Sequence, residues 1–242
     1  MSSEKGTLLI TGASGYLGGN MIKAATEKGY NGRAVVRSDS SAQKVAAQFP
    51  QYKAQLSYAF VPDMTKSDSS KGAFGGVTGV IRAASPFILN PKANVKDLLE
   101  PAIHGSVAIL EALQKWGTSI KRIVATSSHA SCVDISKGKR PGYVYDEKDW
   151  NPVTYEEASK ADGVSAYCAS KALAERAMWD WVGTNKPNFD LVTITPPWVF
   201  GPYASDSDFD CPWRMIGICR SCFPRKKKNP LTGRGHSWNW LQ

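Results

Sequence analysis

Short apolar runs alternate with longer amphipathic stretches along most of this chain. Thr7-Leu-Leu-Ile-Thr11 is apolar at every inner position and ends in glycines, the pattern of a strand buried on both faces. Residues 16–28 carry Leu17, Met21 and Ala24/Ala25 at three- and four-residue spacing, which predicts a helix closed by Gly29. The same reading places strands at Arg33–Arg37, Ser57–Val61, Val77–Arg82, Arg122–Thr126 and Leu191–Thr195. Helices are expected at Ser41–Phe49, at Asn94–Trp116 and within Tyr155–Thr184. Pro196-Pro197 stops the sixth strand. Strands that alternate with helices imply right-handed crossovers and a parallel sheet covered on both faces, an α/β doubly wound fold of Rossmann type. No internal repeat is present, and after Pro197 neither period persists.

Composition agrees with a globular domain. The chain has 242 residues, 42% of them hydrophobic and 21% charged. That length buries a core without disulfides or metal. No apolar run reaches membrane-spanning length, and the N-terminus lacks a signal-peptide core. A cytoplasmic protein is expected, with no membrane partner. Five cysteines without regular spacing do not suggest a disulfide framework.

The formal net charge is +9, and its distribution is uneven. Residues 204–242 hold seven Lys and Arg against three Asp, with three of the five Cys and three of the eight Trp. The composition therefore breaks near Tyr203. This predicts a nucleotide-binding domain over 1–203 and an atypical basic tail, irregular or disordered, over 204–242. Arg225-Lys226-Lys227-Lys228 can be read as a nuclear signal, but no aromatic-interleaved or helix-turn-helix pattern supports nucleic-acid binding. Cys219 and Cys222, with Cys211 and His236, have the wrong spacing for a zinc finger, and no metal is expected.

Between the first strand and helix lies Thr11-Gly-Ala-Ser-Gly-Tyr-Leu-Gly18, with glycines at 12, 15 and 18. Glycines there let the backbone approach a pyrophosphate, and the helix N-terminus offers it free N–H groups. The residue after the second strand selects the cofactor. A carboxylate would bind the ribose 2′-hydroxyl of NAD, but Arg37 stands there, with Lys44 further on. Two cations suit a 2′-phosphate, so the cofactor expected is NADP(H).

Tyr167-Cys-Ala-Ser-Lys171 sits in a predicted helix, and a spacing of four puts both side chains on one face. A nearby ammonium favours the phenolate and brings a phenol closer to a working range. Strand five ends in Ala125-Thr-Ser-Ser128, where ligands of open α/β sheets bind. A serine hydroxyl there either polarises a substrate carbonyl or caps a helix.

With TGASGYLGG, VVRSDSSAQK, VPDMT, IRAASPF, VATSSHAS, YCASK and TITPPWVFGP in this order, residues 5–203 resemble the extended short-chain dehydrogenase/reductase family. The resemblance is to its dihydroflavonol-reductase-like and fungal methylglyoxal, aldehyde and ketone reductase branch. It implies that Gly12, Gly15, Tyr16 and Leu17 hold the pyrophosphate, and Arg37 and Lys44 the 2′-phosphate. Asp63 and Met64 would flank the adenine, Ala83, Ala84 and Ser85 would line the cofactor, and Pro196 and Val199 would border the nicotinamide. Ser128, with Ser127 as the fallback, would polarise a small-molecule carbonyl substrate. Tyr167 would donate the proton, and Lys171 would bind the ribose and lower the tyrosine pKa. Two alternatives share these residues: a nucleotide-sugar epimerase or dehydratase, and a non-catalytic NADP-binding sensor or fragment. Arg82 and His104 depart from the family, whose members usually carry His or an apolar residue and Asn there. Family members also continue well past Phe200-Gly201-Pro202. The resemblance thus implies a truncated C-terminal substrate domain, a reading frame that leaves the family pattern near residue 204, and exposed apolar surface.

Overall fold

The computed structural model describes residues 5–202 and Ala204. The first of two units, Met1–Phe209, holds the sheet. The second, Asp210–Gln242, lies outside the described residues, as do the basic run at 225–228 and the tail cysteines.

Six strands, β1 (Thr7–Thr11), β2 (Asn31–Val36), β3 (Leu56–Phe60), β4 (Val77–Arg82), β5 (Arg122–Thr126) and β6 (Asp190–Ile194), form one parallel sheet. Their order is β3-β2-β1-β4-β5-β6. This is the dinucleotide-binding order, whose direction reverses between β1 and β4 and opens a crevice at the carboxyl ends of those strands.

Alternate residues of a strand point to opposite faces, so each strand feeds two cores. On β1, Leu9 joins one apolar cluster and Ile10 the other. Ile10, Ala34 and Val36 pack with Ile22 and Ala25 of α1 (Tyr16–Glu27) and with Val45 of α2 (Asp39–Gln48). Leu9, Val80, Ile123 and Leu191 pack with Leu110 and Leu113 of α3 (Glu100–Trp116) and Met178 of α5 (Gly163–Asn185).

Two expected helices differ from the pattern. Asn94–Trp116 opens with a π turn at Val95–Leu99 before α3 begins. Pro101 has no N–H for the Asp97 carbonyl and its ring crowds that oxygen, so a regular turn is not available there. Tyr155–Thr184 is two helices, α4 (Tyr155–Lys160) and α5. Asp162 ends the continuity because its carboxylate accepts from the N–H groups of Val164 and Ser165, starting a new helix. Asn94 takes up the carbonyls left open at the end of α4, donating to Ala158, Ser159 and Ala161. Strand β2 begins two residues earlier than the periodicity predicts and ends at Val36, leaving Arg37 just beyond it.

Candidate active site

The glycine loop joins the end of β1 to α1. Gly12 has φ +69°, and a Cβ there would stand 2.9 Å from the Ala84 backbone nitrogen. A Cβ at Gly18 would strike the Gly12 carbonyl, so this glycine lets the helix sit against its own loop. Gly15 is the N-cap of α1 without a side-chain cap, and the first turn carries no acidic residue. The Gly15 N–H turns back onto the Gly12 carbonyl at 2.9 Å, and no side chain caps the positive end of α1, which suits an anion. Tyr16 and Leu17 are half-buried in the first turn.

Thr11 was not singled out by the sequence. It is fully buried, and its Oγ1 accepts from the N–H groups of Ala83 and Ala84, 3.1 Å each. One hydroxyl thereby fixes the segment after β4 against the glycine loop. Ala83, Ala84 and Ser85 follow directly along the crevice.

At the end of β2, Arg37 is exposed, and Ser38 caps α2. Asp39 lies in the first turn of α2, a position that favours a carboxylate for the helix's own sake. Lys44 is exposed on the same helix. After β3, the Asp63 carboxylate accepts from the backbone N–H and hydroxyl of Thr65 and pairs with Lys66, which holds it below the usual carboxylate range. Its visible work is to shape this turn, beside the half-buried Met64.

Beyond β5, Ser128 caps the short turn His129–Ser131, accepting from the Ala130 N–H at 3.2 Å. The capping reading of this serine is thus realised, and Ser128 also lies near enough to Tyr167 to pull its pKa downward. Ser127 is committed differently: its hydroxyl donates to the buried Glu175 carboxylate, as does that of Ser131. Ser128 is therefore the serine brought to the tyrosine. His129 donates its backbone N–H to the Pro196 carbonyl at 2.9 Å, tying the segment after β6 to this turn. Val199 lies half-buried further along that segment.

Tyr167 and Lys171 share one face of α5. Phe87 meets the tyrosine ring edge-on at 5.2 Å, and Lys171 Nζ lies 5.2 Å from the ring centroid. Nζ donates to Ser85 Oγ at 2.6 Å, which links α5 to the segment after β4. The electrostatics differ from the sequence expectation. Burial, with a smaller push from the Cys168 thiol, raises the Tyr167 pKa to about 12, against a downward pull from Ser128. Burial, with Arg82 second, lowers the Lys171 pKa to about 7. Lys171 does not hold the phenol down in this arrangement, because its own charge is disfavoured. Glu175 continues the four-residue spacing from Tyr167 and Lys171, a signal in the sequence that went unread.

A doubly wound sheet with a glycine loop at its switch point and a Ser/Tyr/Lys group beside it defines a class of nucleotide-dependent enzyme folds. Residues 8–238 match the NAD dependent epimerase/dehydratase family, and the chain belongs to it. The match continues past the composition break near Tyr203. An uncharacterized oxidoreductase of Schizosaccharomyces pombe is 41% identical over 81% of this chain and 58% of its own length. The NADPH-dependent methylglyoxal reductase GRE2 of Saccharomyces cerevisiae is 31% identical over 84% of this chain and 60% of its own. The crystal structure of Gre2 from Candida albicans in complex with NADPH superposes with a TM-score of 0.83 at 30% identity, over 89% of this chain and 64% of that one. The chain thus spans about 60% of the length of these relatives. Among the described residues no helix is long and apolar enough to cross a membrane, and no group of His, Cys, Asp or Glu could hold a metal ion.

Proposed function

We propose that this chain carries the nucleotide site and the proton-donating group of an NADP(H)-dependent carbonyl reductase acting on a ketone or aldehyde. The observation that carries the reading is the convergence of α5, with Tyr167 and Lys171 on one face, and the segment after β4, joined by the Lys171–Ser85 hydrogen bond of 2.6 Å, with Ser128 near enough to Tyr167 to pull its pKa downward.

The residues present fit the dinucleotide. The bare Gly12–Gly15 loop and the open first turn of α1 suit a pyrophosphate, held by Gly12, Gly15, Tyr16 and Leu17. Arg37 and Lys44, exposed beyond β2, suit a 2′-phosphate. Asp63 and Met64 would flank the adenine, and Pro196 and Val199 the nicotinamide. When bound, the reduced nicotinamide supplies a hydride to the carbonyl carbon.

The chain's own residues handle the oxygen. Ser128 Oγ donates a hydrogen bond to the carbonyl oxygen and polarises it. Tyr167 keeps its proton until about pH 12, so it stands as a neutral acid at working pH. As the carbon accepts two electrons, negative charge gathers on the oxygen, and Tyr167 gives its proton to it. Lys171 would hold the ribose from the side of Ser85, and the phenolate left on Tyr167 regains its proton from solvent. Phe87, packed edge-on against the phenol, keeps water from one side of it.

The test is NADPH consumption by the chain with a panel of small and aromatic ketones and aldehydes. Tyr167→Phe is expected to lower kcat by about 10²–10⁴-fold while nucleotide binding persists. A Phe variant as fast as the parent, or a parent that binds NADPH and reduces no member of the panel, contradicts the reading.

A further inference from the structure

Arg82, at the carboxyl end of β4, is 5% exposed. One of its terminal nitrogens donates to Ser106 Oγ on α3 at 2.7 Å, and Ser106 donates in turn to the Ala102 carbonyl at 2.6 Å. Arg82 Nε has no hydrogen-bond partner among the described residues. The guanidinium lines one small cavity with Ser85, Ser106, Ser127, Lys171 and Glu175. Lys171 is also buried, at 8% exposed. Two basic groups and one carboxylate therefore line the same small cavity. The Glu175 carboxylate is already taken by the hydroxyls of Ser127 and Ser131, while Arg82 turns to Ser106 and Lys171 to Ser85.

Two buried like charges with one shared, occupied counter-ion are costly, and one of them yields. A guanidinium gives up its proton far less readily than an amine. We propose that Arg82 is a positioning residue for the reaction: its fixed charge, walled into one cavity with Lys171 and Glu175, adds to burial in disfavouring the proton on the Lys171 amine and so sets how strongly Tyr167 is poised as an acid. The amine donates to Ser85 and lies beside the Tyr167 ring, and the charged and polar groups that line the cavity with it are Arg82 from β4, Glu175 from α5 itself, and Ser106, Ser127 and Thr193 from the segments around them. Burial lowers the Arg82 pKa only to about 10, so it stays charged near neutral pH, where Lys171, at about 7, gives up its proton in part.

The consequence at Tyr167 rests on the reductase reading, but the charge of Lys171 can be read without it. The experiment follows the ¹³Cε resonance of Lys171 against pH in the full chain without nucleotide, assigned by its loss in Lys171→Met. The parent is expected to titrate near neutral pH. In Arg82→Gln the midpoint rises by about one pH unit or more, because a like charge is gone. Arg82→Met, a second neutral variant, gives the same rise should the first fail to fold. Ser106→Ala breaks the Arg82 hydrogen bond but keeps the charge, and leaves the midpoint in place. A parent midpoint in the ordinary lysine range, or an unmoved midpoint in both neutral variants, overturns the proposal. Failure to bind NADPH would remove the reductase reading and leave this result standing.

Discussion

Thr11 shows what a single hydroxyl does at the end of a buried strand. Its oxygen serves the two N–H groups that follow β4, so Thr11→Val keeps the shape of the core and strips both donors of their partner. The expected loss is about 1–3 kcal/mol in urea unfolding; a variant as stable as the parent would mean that water replaces the hydroxyl. Tyr167 and Lys171 were legible in the sequence because a spacing of four fixes a shared helix face whatever surrounds it. Thr11 was not, since its partners lie 72 and 73 positions away along the chain. The electrostatics were misread for a related reason. The sequence shows that Lys171 is near Tyr167, but not that burial and Arg82 act on the lysine first.

Among the elements, the six strands were readable because parallel strands covered on both faces are apolar throughout. Helix ends were less so. The sequence placed a helix within Tyr155–Thr184 without fixing where it starts, and the Asp162 side chain, turned onto the N–H groups of Val164 and Ser165, sets that start. Asp162→Ala is expected to cost about 1 kcal/mol and to speed amide exchange in the first turn of α5, the turn leading to Tyr167. Unchanged exchange there would show that Gly163 starts the helix without help. The π turn before α3 was equally hidden, although Pro101 gave its cause in plain view.

For the whole molecule, the buried pair ties stability to pH with a definite sign. An unfolded Lys171 keeps its proton up to about 10.5, whereas the folded one releases it near 7. Between those values the unfolded chain binds more protons at this group, so folding is favoured as pH rises. Tyr167 acts oppositely between 10 and about 12, where the folded chain holds the extra proton. Urea midpoints of Lys171→Met should therefore lack the part of the rise that the parent shows from pH 7 to 10. A parallel pH dependence in parent and variant would contradict this.

The sheet also leaves Val192 and Ile194 exposed on β6, with Trp198 and Phe200 exposed just after it. The central claim, a nucleotide site built for a 2′-phosphate, is tested most directly by titrating the purified chain with NADPH and NADH in parallel and following nucleotide fluorescence. The account predicts saturable binding of NADPH at markedly lower concentration than NADH, with the preference lost in Arg37→Ala. Equal binding of the two, a preference for NADH, or binding of neither would contradict it.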